Sequence, residues 1–151
     1  MTRACLLSFI VCAAASLACR QSRAPESSMS SVVGCFSAQR GPWTPAMDLE
    51  DDSVYTQIPD TFRLLPDTLP TLAGLSGRHK VIGTASRYML NNYWYFPSPD
   101  SATVVWSNGT SGVALNFAVA PGTVVATART SWDFPRQSQV ATVTLLRRAC
   151  S

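Results

Sequence analysis

From Val32 onward, apolar and polar residues alternate in short runs, and the runs are separated by Pro, Gly, Asn and Asp. An apolar repeat at helical spacing never lasts longer than one or two turns. Alternation with a period of two is typical of half-buried strands. The segments with this pattern are 32–39, 61–65, 80–88, 92–96, 102–107, 113–119, 123–130 and 139–147. The pattern therefore predicts an all-β domain.

Two turn signals, Asn108-Gly109 and Pro121-Gly122, divide residues 102–130 into three strands of a meander. The Asn-Gly pair is expected to supply the positive φ angles of a tight hairpin. The residues that share one face of the second and third strands are Val113, Leu115, Phe117 and Val119, then Val124, Ala126, Ala128 and Thr130. Small inward side chains suit a narrow barrel. We expect residues 34–151 to form a small antiparallel up-and-down barrel of about seven or eight strands, with a β-sandwich as the alternative.

The first residues have the layout of a secretory signal peptide. Arg3 is followed by an almost wholly apolar run over 4–15, and small residues surround Cys19. This run is shorter than the roughly 20 residues that a membrane-spanning helix needs. We therefore predict a signal peptide over 1–18. The polar, Ser-rich segment 19–33 then predicts a flexible tether.

The segment Ser16-Leu17-Ala18-Cys19 resembles the lipobox of bacterial lipoproteins, whose cysteine is diacylated and becomes the N-terminus. Ser16 stands where that family usually has Leu or Val. The resemblance implies a lipid anchor on Cys19, and more than one acyl chain gives stable anchoring. The residue after Cys19 is Arg20 rather than Asp. In this respect the chain resembles lipoproteins that are sorted to the outer membrane and face the periplasm. An ordinary signal peptidase site, and hence a soluble secreted or periplasmic chain, is the alternative.

Five cysteines occur in the chain. Cys5 and Cys12 leave with the signal peptide and Cys19 takes the lipid, so Cys35 and Cys150 remain in an oxidising compartment. We predict that these two form a disulfide between the ends of the domain. Closing a loop of this length is worth about 4 to 5 kcal/mol in the chain-entropy model. Two buried free thiols are the alternative.

Charge gives little reason to expect nucleic acid as a partner. The formal net charge is +3, but from Cys35 to Cys150 nine Arg and Lys face eight Asp and Glu. Phosphate binding requires a clustered basic field, which a nearly neutral domain does not predict.

The run Tyr93-Trp94-Tyr95-Phe96 is the most prominent candidate for ligand binding. On a strand, Tyr93 and Tyr95 point to one face and Trp94 and Phe96 to the other. The candidate lining of an apolar ligand cavity is Trp94, Trp106, Phe117, Tyr93 and Tyr95. The alternative is ordinary core packing on one face and interface packing on the other.

The chain lacks an evident catalytic or metal-binding pattern. Gly-x-Ser-x-Gly is absent, and the acidic stretch from Asp48 to Asp52 lacks the Gly and Glu positions of a helix-loop-helix calcium site. An enzyme would gather polar groups around His79, Asp100 or Asp133. We therefore predict no enzyme activity, no metal and no cofactor.

Several segments resemble a group of uncharacterised small bacterial lipoproteins over about residues 34–150. They are Cys35-Phe36, Gly41-Pro42-Trp43, the stretch from Asp100 to Gly109, Gly112-Val113 and the terminal Cys150. The resemblance implies no activity. Gly41-x-Trp43 together with Arg147 or Arg148 is also loosely similar to lipocalins, in which an arginine near the end packs across the first-strand tryptophan. This second resemblance implies a calycin-like barrel.

These features favour a non-enzymatic envelope lipoprotein whose small barrel binds either an apolar small molecule or another envelope protein. A carrier needs a lined cavity of a few hundred Å³. A structural or interaction module without a ligand is the alternative, and it would have a filled interior and an exposed apolar patch. A hydrolase is the least favoured reading.

Overall fold

The computed structural model describes residues 26–46, 57–69, 77–83, 90–132 and 138–150. The predicted signal peptide and Cys19 lie outside these residues. One helix and eight strands are present: α1 Glu26–Val32, β1 Gly34–Arg40, β2 Thr61–Thr68, β3 His79–Ile82, β4 Asn91–Ser98, β5 Ser101–Ser107, β6 Ser111–Ala118, β7 Val124–Trp132 and β8 Val140–Arg148. Within the described part of the chain, no helix has the length and apolarity needed to cross a membrane.

The strands form one closed barrel in sequence order. Every neighbouring pair is antiparallel, and β8 pairs with β1 along six residues, from Cys35 opposite Arg148 to Arg40 opposite Val143. The predicted all-β, up-and-down barrel is thereby confirmed, and the sandwich alternative is wrong. Because the barrel is closed, no strand has an unpaired edge. Val-rich strands can therefore be present without pairing with strands of other chains.

Each predicted strand has a counterpart in the barrel. The largest difference concerns the third strand, predicted over 80–88 and observed over His79–Ile82, where residues 84–89 lie outside the described part. The predicted meander is confirmed, because β5 pairs with β6 and β6 with β7 in continuous register. The predicted start of the first strand at Val32 is wrong, since Val32 ends α1.

Alternation along the strands places one set of side chains in the interior, as the sequence pattern predicted. Val113, Leu115 and Phe117 face inward from β6, and Val124, Ala126, Ala128 and Thr130 face inward from β7. Arg129, between two of these buried residues, is exposed. The inner faces of all eight strands thus form one continuous core, to which α1 adds Val32.

The β5–β6 turn is built differently from the predicted Asn-Gly hairpin. Within this turn, Gly109 has a positive φ of 104°. Asn108 does not, because no described residue other than glycine has a positive φ. Asn108 instead accepts hydrogen bonds at Oδ1 from the backbone N–H groups of Thr110 and Ser111. The side chain therefore stabilises the turn as an Asx motif, which is the other reason that Asn is common in turns.

The second half of the predicted tether differs from the prediction, because residues 26–32 form α1. Val32 is fully buried and Met29, one helical turn earlier, packs against the core. Burial of these two apolar side chains in the barrel end where β1 begins offsets the polar composition of the helix. In an up-and-down barrel the same end contains the end of β8 and the start of β3, and we call it the α1 end.

Arg147 fastens α1 to this end of the barrel. Its guanidinium donates hydrogen bonds to the carbonyl oxygens of Ser30 and Ser31 in the last turn of the helix and to that of Val33 just after it. A cation is favourable there because the C-terminal carbonyls are unpaired and carry partial negative charge. The guanidinium also lies 5.7 Å from the centre of the Phe36 ring on β1. The expected lipocalin-like contact with Trp43 is wrong, since Arg40 lies over Trp43 instead.

The predicted disulfide joins Cys35 on β1 to Cys150 after β8, with 5.3 Å between the two Cα atoms. Their separation is 115 residues. Because β1 and β8 are neighbours in the closed barrel, the bridge reinforces the seam at which the first and last strands meet.

Candidate functional site

The two inward tryptophans of the predicted ligand site are fully buried. The indole N–H of Trp94 donates to the carbonyl oxygen of Leu65 at 2.9 Å, and that of Trp106 donates to the carbonyl oxygen of Gly83 at 3.0 Å. Each polar group is thus satisfied by the backbone, as a buried indole requires. A ligand would find no free donor on these two rings.

The interior aromatic rings form two groups. In the first, Phe62 stacks on Phe36 with ring centres 5.5 Å apart and meets the Trp106 ring edge-on at 5.2 Å. Phe117 joins this group through Phe36, at 6.4 Å. These separations are those of direct aromatic packing. The structure therefore brings Trp106 and Phe117 into one cluster by filling the space between them.

The second group contains Trp94, and it lies apart from the first in the described contacts. The Trp94 ring packs 4.6 Å from the His79 ring and 5.2 Å from the Phe96 ring. Trp94 faces inward and is directly opposite Val104 on β5. It is therefore a core residue near the α1 end rather than a partner of Trp106 in one lining.

Small inward residues accommodate these large rings. Four alanines on β5, β7 and β8 are at most 3% exposed: Ala102, Ala126, Ala128 and Ala141. The sequence left open whether such residues make room for a ligand or for large neighbours. Close packing of rings beside small residues favours the second reading, because protein interiors are packed to nearly crystalline density.

Tyr93 and Tyr95 share a face, as the alternation predicted, and this face is the outer wall, where their ring centres are 6.1 Å apart. The guanidinium of Arg78 lies 3.8 Å from the centre of the Tyr93 ring. Val105 is directly opposite Tyr93 on β5 and is partly exposed. We call Arg78, Tyr93, Tyr95 and Val105 the tyrosine face.

A hydrogen bond between Thr103 and Asn116 lies beside the tyrosine face, and only Thr103 of the two is buried. Thr103, opposite Tyr95, is only 3% exposed although it belongs to the outer wall. Its hydroxyl donates to Asn116 Oδ1 at 2.7 Å. This hydrogen bond, on the strand next to Tyr95, restrains the wall on which the tyrosine face lies.

Two depressions lie around β1, and the second of them also reaches the inward rings of Phe36 and Phe62. One, of about 640 Å³, is lined by residues that include Ser37, Asp60 and Leu146. The other, of about 810 Å³, is lined by residues that include Arg63, Ile82 and Arg148. None of the five residues predicted to bind a ligand lines either depression.

The residues considered for catalysis are not assembled into a site in the described part of the chain. His79 Nδ1 lies 2.9 Å from the carbonyl oxygen of Pro66, and its ring packs on Trp94. Asp100 lies in the β4–β5 turn, and Asp133 and the acidic stretch 48–52 lie outside the described residues. Among the described residues, no group of three or more His, Cys, Asp or Glu could hold a metal ion.

Sequence reasoning missed the basic residues of the outer wall. Arg63, Lys80 and Arg148 occupy outward positions of β2, β3 and β8, where an alternating pattern places polar residues in general. Nearly balanced total charge concealed them, because only the strand order brings these three cations to the same part of the surface. Arg78 escaped notice for the same reason.

Comparison with known proteins finds no family model, no curated protein and no solved structure that matches this chain. The resemblances to small bacterial lipoproteins and to lipocalins accordingly stay predictions from the sequence, while the closed eight-stranded antiparallel barrel is what the structure shows.

Proposed function

We propose that this chain is a non-enzymatic, lipid-anchored protein of the bacterial cell envelope. In this proposal the barrel is a rigid interaction module that binds another envelope protein through the tyrosine face. The observation that carries the proposal is the aromatic packing inside the barrel: Phe36, Phe62, Trp106 and Phe117 contact one another where a carrier would hold its ligand.

A filled interior moves binding to the outer wall. Since every strand is paired on both sides, a partner cannot add a strand to this sheet, which is one recurring way that β proteins bind peptides. Binding must then rely on side chains. Tyrosine and arginine are the residue types that most often dominate the binding energy of protein interfaces, and the tyrosine face contains both.

The tyrosine face is organised before any partner binds. Arg78 stacks on Tyr93, Tyr95 lies beside Tyr93, and the Thr103 hydroxyl is satisfied beneath them. Side chains that are already ordered lose less conformational entropy on association. This favours a specific protein partner, since a flat ordered face with one cation suits a complementary surface better than a small apolar molecule.

A test of the tyrosine face begins with a photo-reactive residue at position 95, introduced into the full chain in its own host. A second chain carries the same group at Thr127, which is exposed on β7. A protein captured from position 95 alone is then purified, and its dissociation constant is measured with the unmodified chain, with Y93A/Y95A and with T127A/T142A. The control pair is matched because Thr127 and Thr142 are exposed outer-wall residues opposite each other on β7 and β8.

We expect Y93A/Y95A to weaken binding by at least about 30-fold, the effect of a residue pair at the centre of an interface. The T127A/T142A chain should bind as the unmodified chain does. Equal affinities for both double variants would remove the proposal. Native mass spectrometry of the protein from its host gives an independent check, because a retained apolar molecule would instead support the carrier.

Replacing Cys19 with serine should release the protein from membranes into the soluble envelope fraction. The reason is that the lipid on Cys19 supplies the anchor, since its acyl chains provide the apolar contact with the bilayer. Membrane fractions are compared by immunoblot, with Cys12→Ser as a control that leaves Cys19 intact. Unchanged membrane association of the Cys19→Ser chain would contradict the lipid anchor.

A further inference from the structure

Three cations of the outer wall lie on β8, β2 and β3, the strands around the start of β1. On β1, Cys35 is directly opposite Arg148 of β8 on one side and Arg63 of β2 on the other. Arg63 is in turn opposite Ile82, and Lys80 lies two residues earlier on β3. Residues directly opposite each other in a sheet share a face. Arg63, Lys80 and Arg148 therefore form a basic strip across four neighbouring strands.

The basic strip is exposed and uncompensated. Arg63, Lys80 and Arg148 are all exposed, and in the described part of the chain none of them has a carboxylate partner. The depression of about 810 Å³ between these strands is lined by Arg63, Arg147 and Arg148 and by no carboxylate. Asp60 lines the neighbouring depression, and Asp67 follows Arg63 on β2. Among the described residues, the cations thus outnumber the carboxylates of this wall and contribute a positive local field.

The position of the strip along the chain identifies its partner. Arg63 and Arg148 are both opposite Cys35, the second residue of β1. Arg147, the neighbour of Arg148, holds the end of α1 that leads into β1. Glu26, the first residue of α1, is seven residues after Cys19. Seven residues span at most about 25 Å. If Cys19 is lipidated as proposed above, the bilayer surface lies within that distance of α1.

We propose that the basic strip rests on an anionic lipid surface, with the arginines contacting the phosphates of phosphatidylglycerol headgroups and Ile82 entering the interface. Guanidinium groups match phosphate oxygens in geometry. Ile82 is 48% exposed beside Arg63, and a large apolar side chain next to cations is typical of surfaces that bind at the lipid interface. The contact orients the barrel, because the wall around the start of β1 then faces the bilayer and the wall formed by β5 and β6 faces away from it.

The strip fits a membrane better than an acidic protein. Arg20 is the residue after Cys19, and Arg23 is four residues after it. Two further cations therefore lie between the predicted lipid and α1 in the sequence. Basic residues close to a membrane anchor are attracted to anionic lipids, each raising the binding constant about fivefold. A single anchoring point leaves a barrel free to rotate, and a basic surface nearby removes that freedom.

The test uses the chain with Cys19→Ser, isolated after export and shown by mass to lack the signal segment and acyl groups. Binding to vesicles is measured by co-sedimentation, with phosphatidylcholine alone and with phosphatidylcholine containing about 30 mol% phosphatidylglycerol. Without acyl chains, the result stands apart from the lipid anchor and from the tyrosine face. Arg20 and Arg23 are present in every chain compared, so the difference between the parent and R63Q/R148Q reports the basic strip. The two variants compared are R63Q/R148Q and R40Q/R129Q.

The control removes the same charge at the opposite end, because Arg40 ends β1 and Arg129 pairs with the first residue of β8. We expect the parent chain to prefer anionic vesicles and R63Q/R148Q to bind them roughly 30-fold more weakly, while R40Q/R129Q binds nearly as the parent does. Raised salt should weaken the binding of the parent more than that of R63Q/R148Q, which has two fewer cations to screen. Equal loss in both variants, or a parent that binds both vesicle types equally, overturns the proposal. If the basic strip instead binds an acidic protein, the parent chain should show no preference for anionic vesicles.

Discussion

Replacing both Cys35 and Cys150 with serine is expected to lower the free energy of unfolding by about 4 to 5 kcal/mol, the largest effect that we foresee for a change outside the core. The bridge spans 115 residues, so the unfolded chain gains the freedom of a long loop when the bond is absent. The measurement is urea denaturation followed by tryptophan fluorescence, with the stability extrapolated to water.

The double variant contains its own control. A reducing agent should destabilise the unmodified chain and should leave the C35S/C150S chain unchanged, because that chain has no bridge to reduce. A loss below about 1 kcal/mol would show that the hydrogen bonds between β1 and β8 close the barrel by themselves. A domain of this size has a total stability of about 5 to 15 kcal/mol. We therefore expect the reduced protein to unfold partly at growth temperature.

Replacing Trp106 with alanine should cost about 3 to 5 kcal/mol of stability. Trp106 is fully buried, packs edge-on against Phe62 and donates a hydrogen bond to the Gly83 carbonyl. Its removal leaves a cavity in a closely packed barrel and an unpaired carbonyl. Val125→Ala is the matched control, because Val125 is a strand residue that is 69% exposed and should cost little.

The Trp106 result also bears on function. If Trp106→Ala costs less than about 1 kcal/mol, the interior has room to spare and the carrier hypothesis gains strength. A large loss supports the filled barrel on which the proposed interaction module depends. The same variant can be tested for apolar ligands, since a cavity made by truncating a large core side chain can bind a small apolar molecule.

The two proposed surfaces are compatible in one molecule. The basic strip lies on β8, β2 and β3, while the tyrosine face lies on β4 and β5, with Lys80 opposite Tyr93 where the two meet. Contact with lipid on one side would leave much of the tyrosine face accessible. Variants of the two surfaces should thus act independently, because Arg148 and Tyr95 lie on strands that do not contact each other.

Local pattern was enough to predict the architecture of this protein. Alternation of Val113, Leu115 and Phe117 with polar or small residues determines which face of β6 is buried, because side chains on a strand point to opposite sides in turn. The same rule placed Trp94 on the face opposite to Tyr93 and Tyr95, and the structure shows that the Trp94 face is the buried one. The bridge between Cys35 and Cys150 was predicted by elimination from an expected export signal and an expected oxidising compartment, and the structure contains it.

Tertiary structure alone decided the features that depend on which distant residues meet. The role of Trp94, Trp106 and Phe117 could not be read from periodicity, because an inward ring fills a core or lines a cavity according to what lies across the barrel. The helix at Glu26–Val32 exists because the barrel end buries Val32 and Arg147, 115 residues later, caps its last turn. The basic strip likewise arises from register, which joins Arg63 and Arg148 across β1 although 85 residues separate them in sequence.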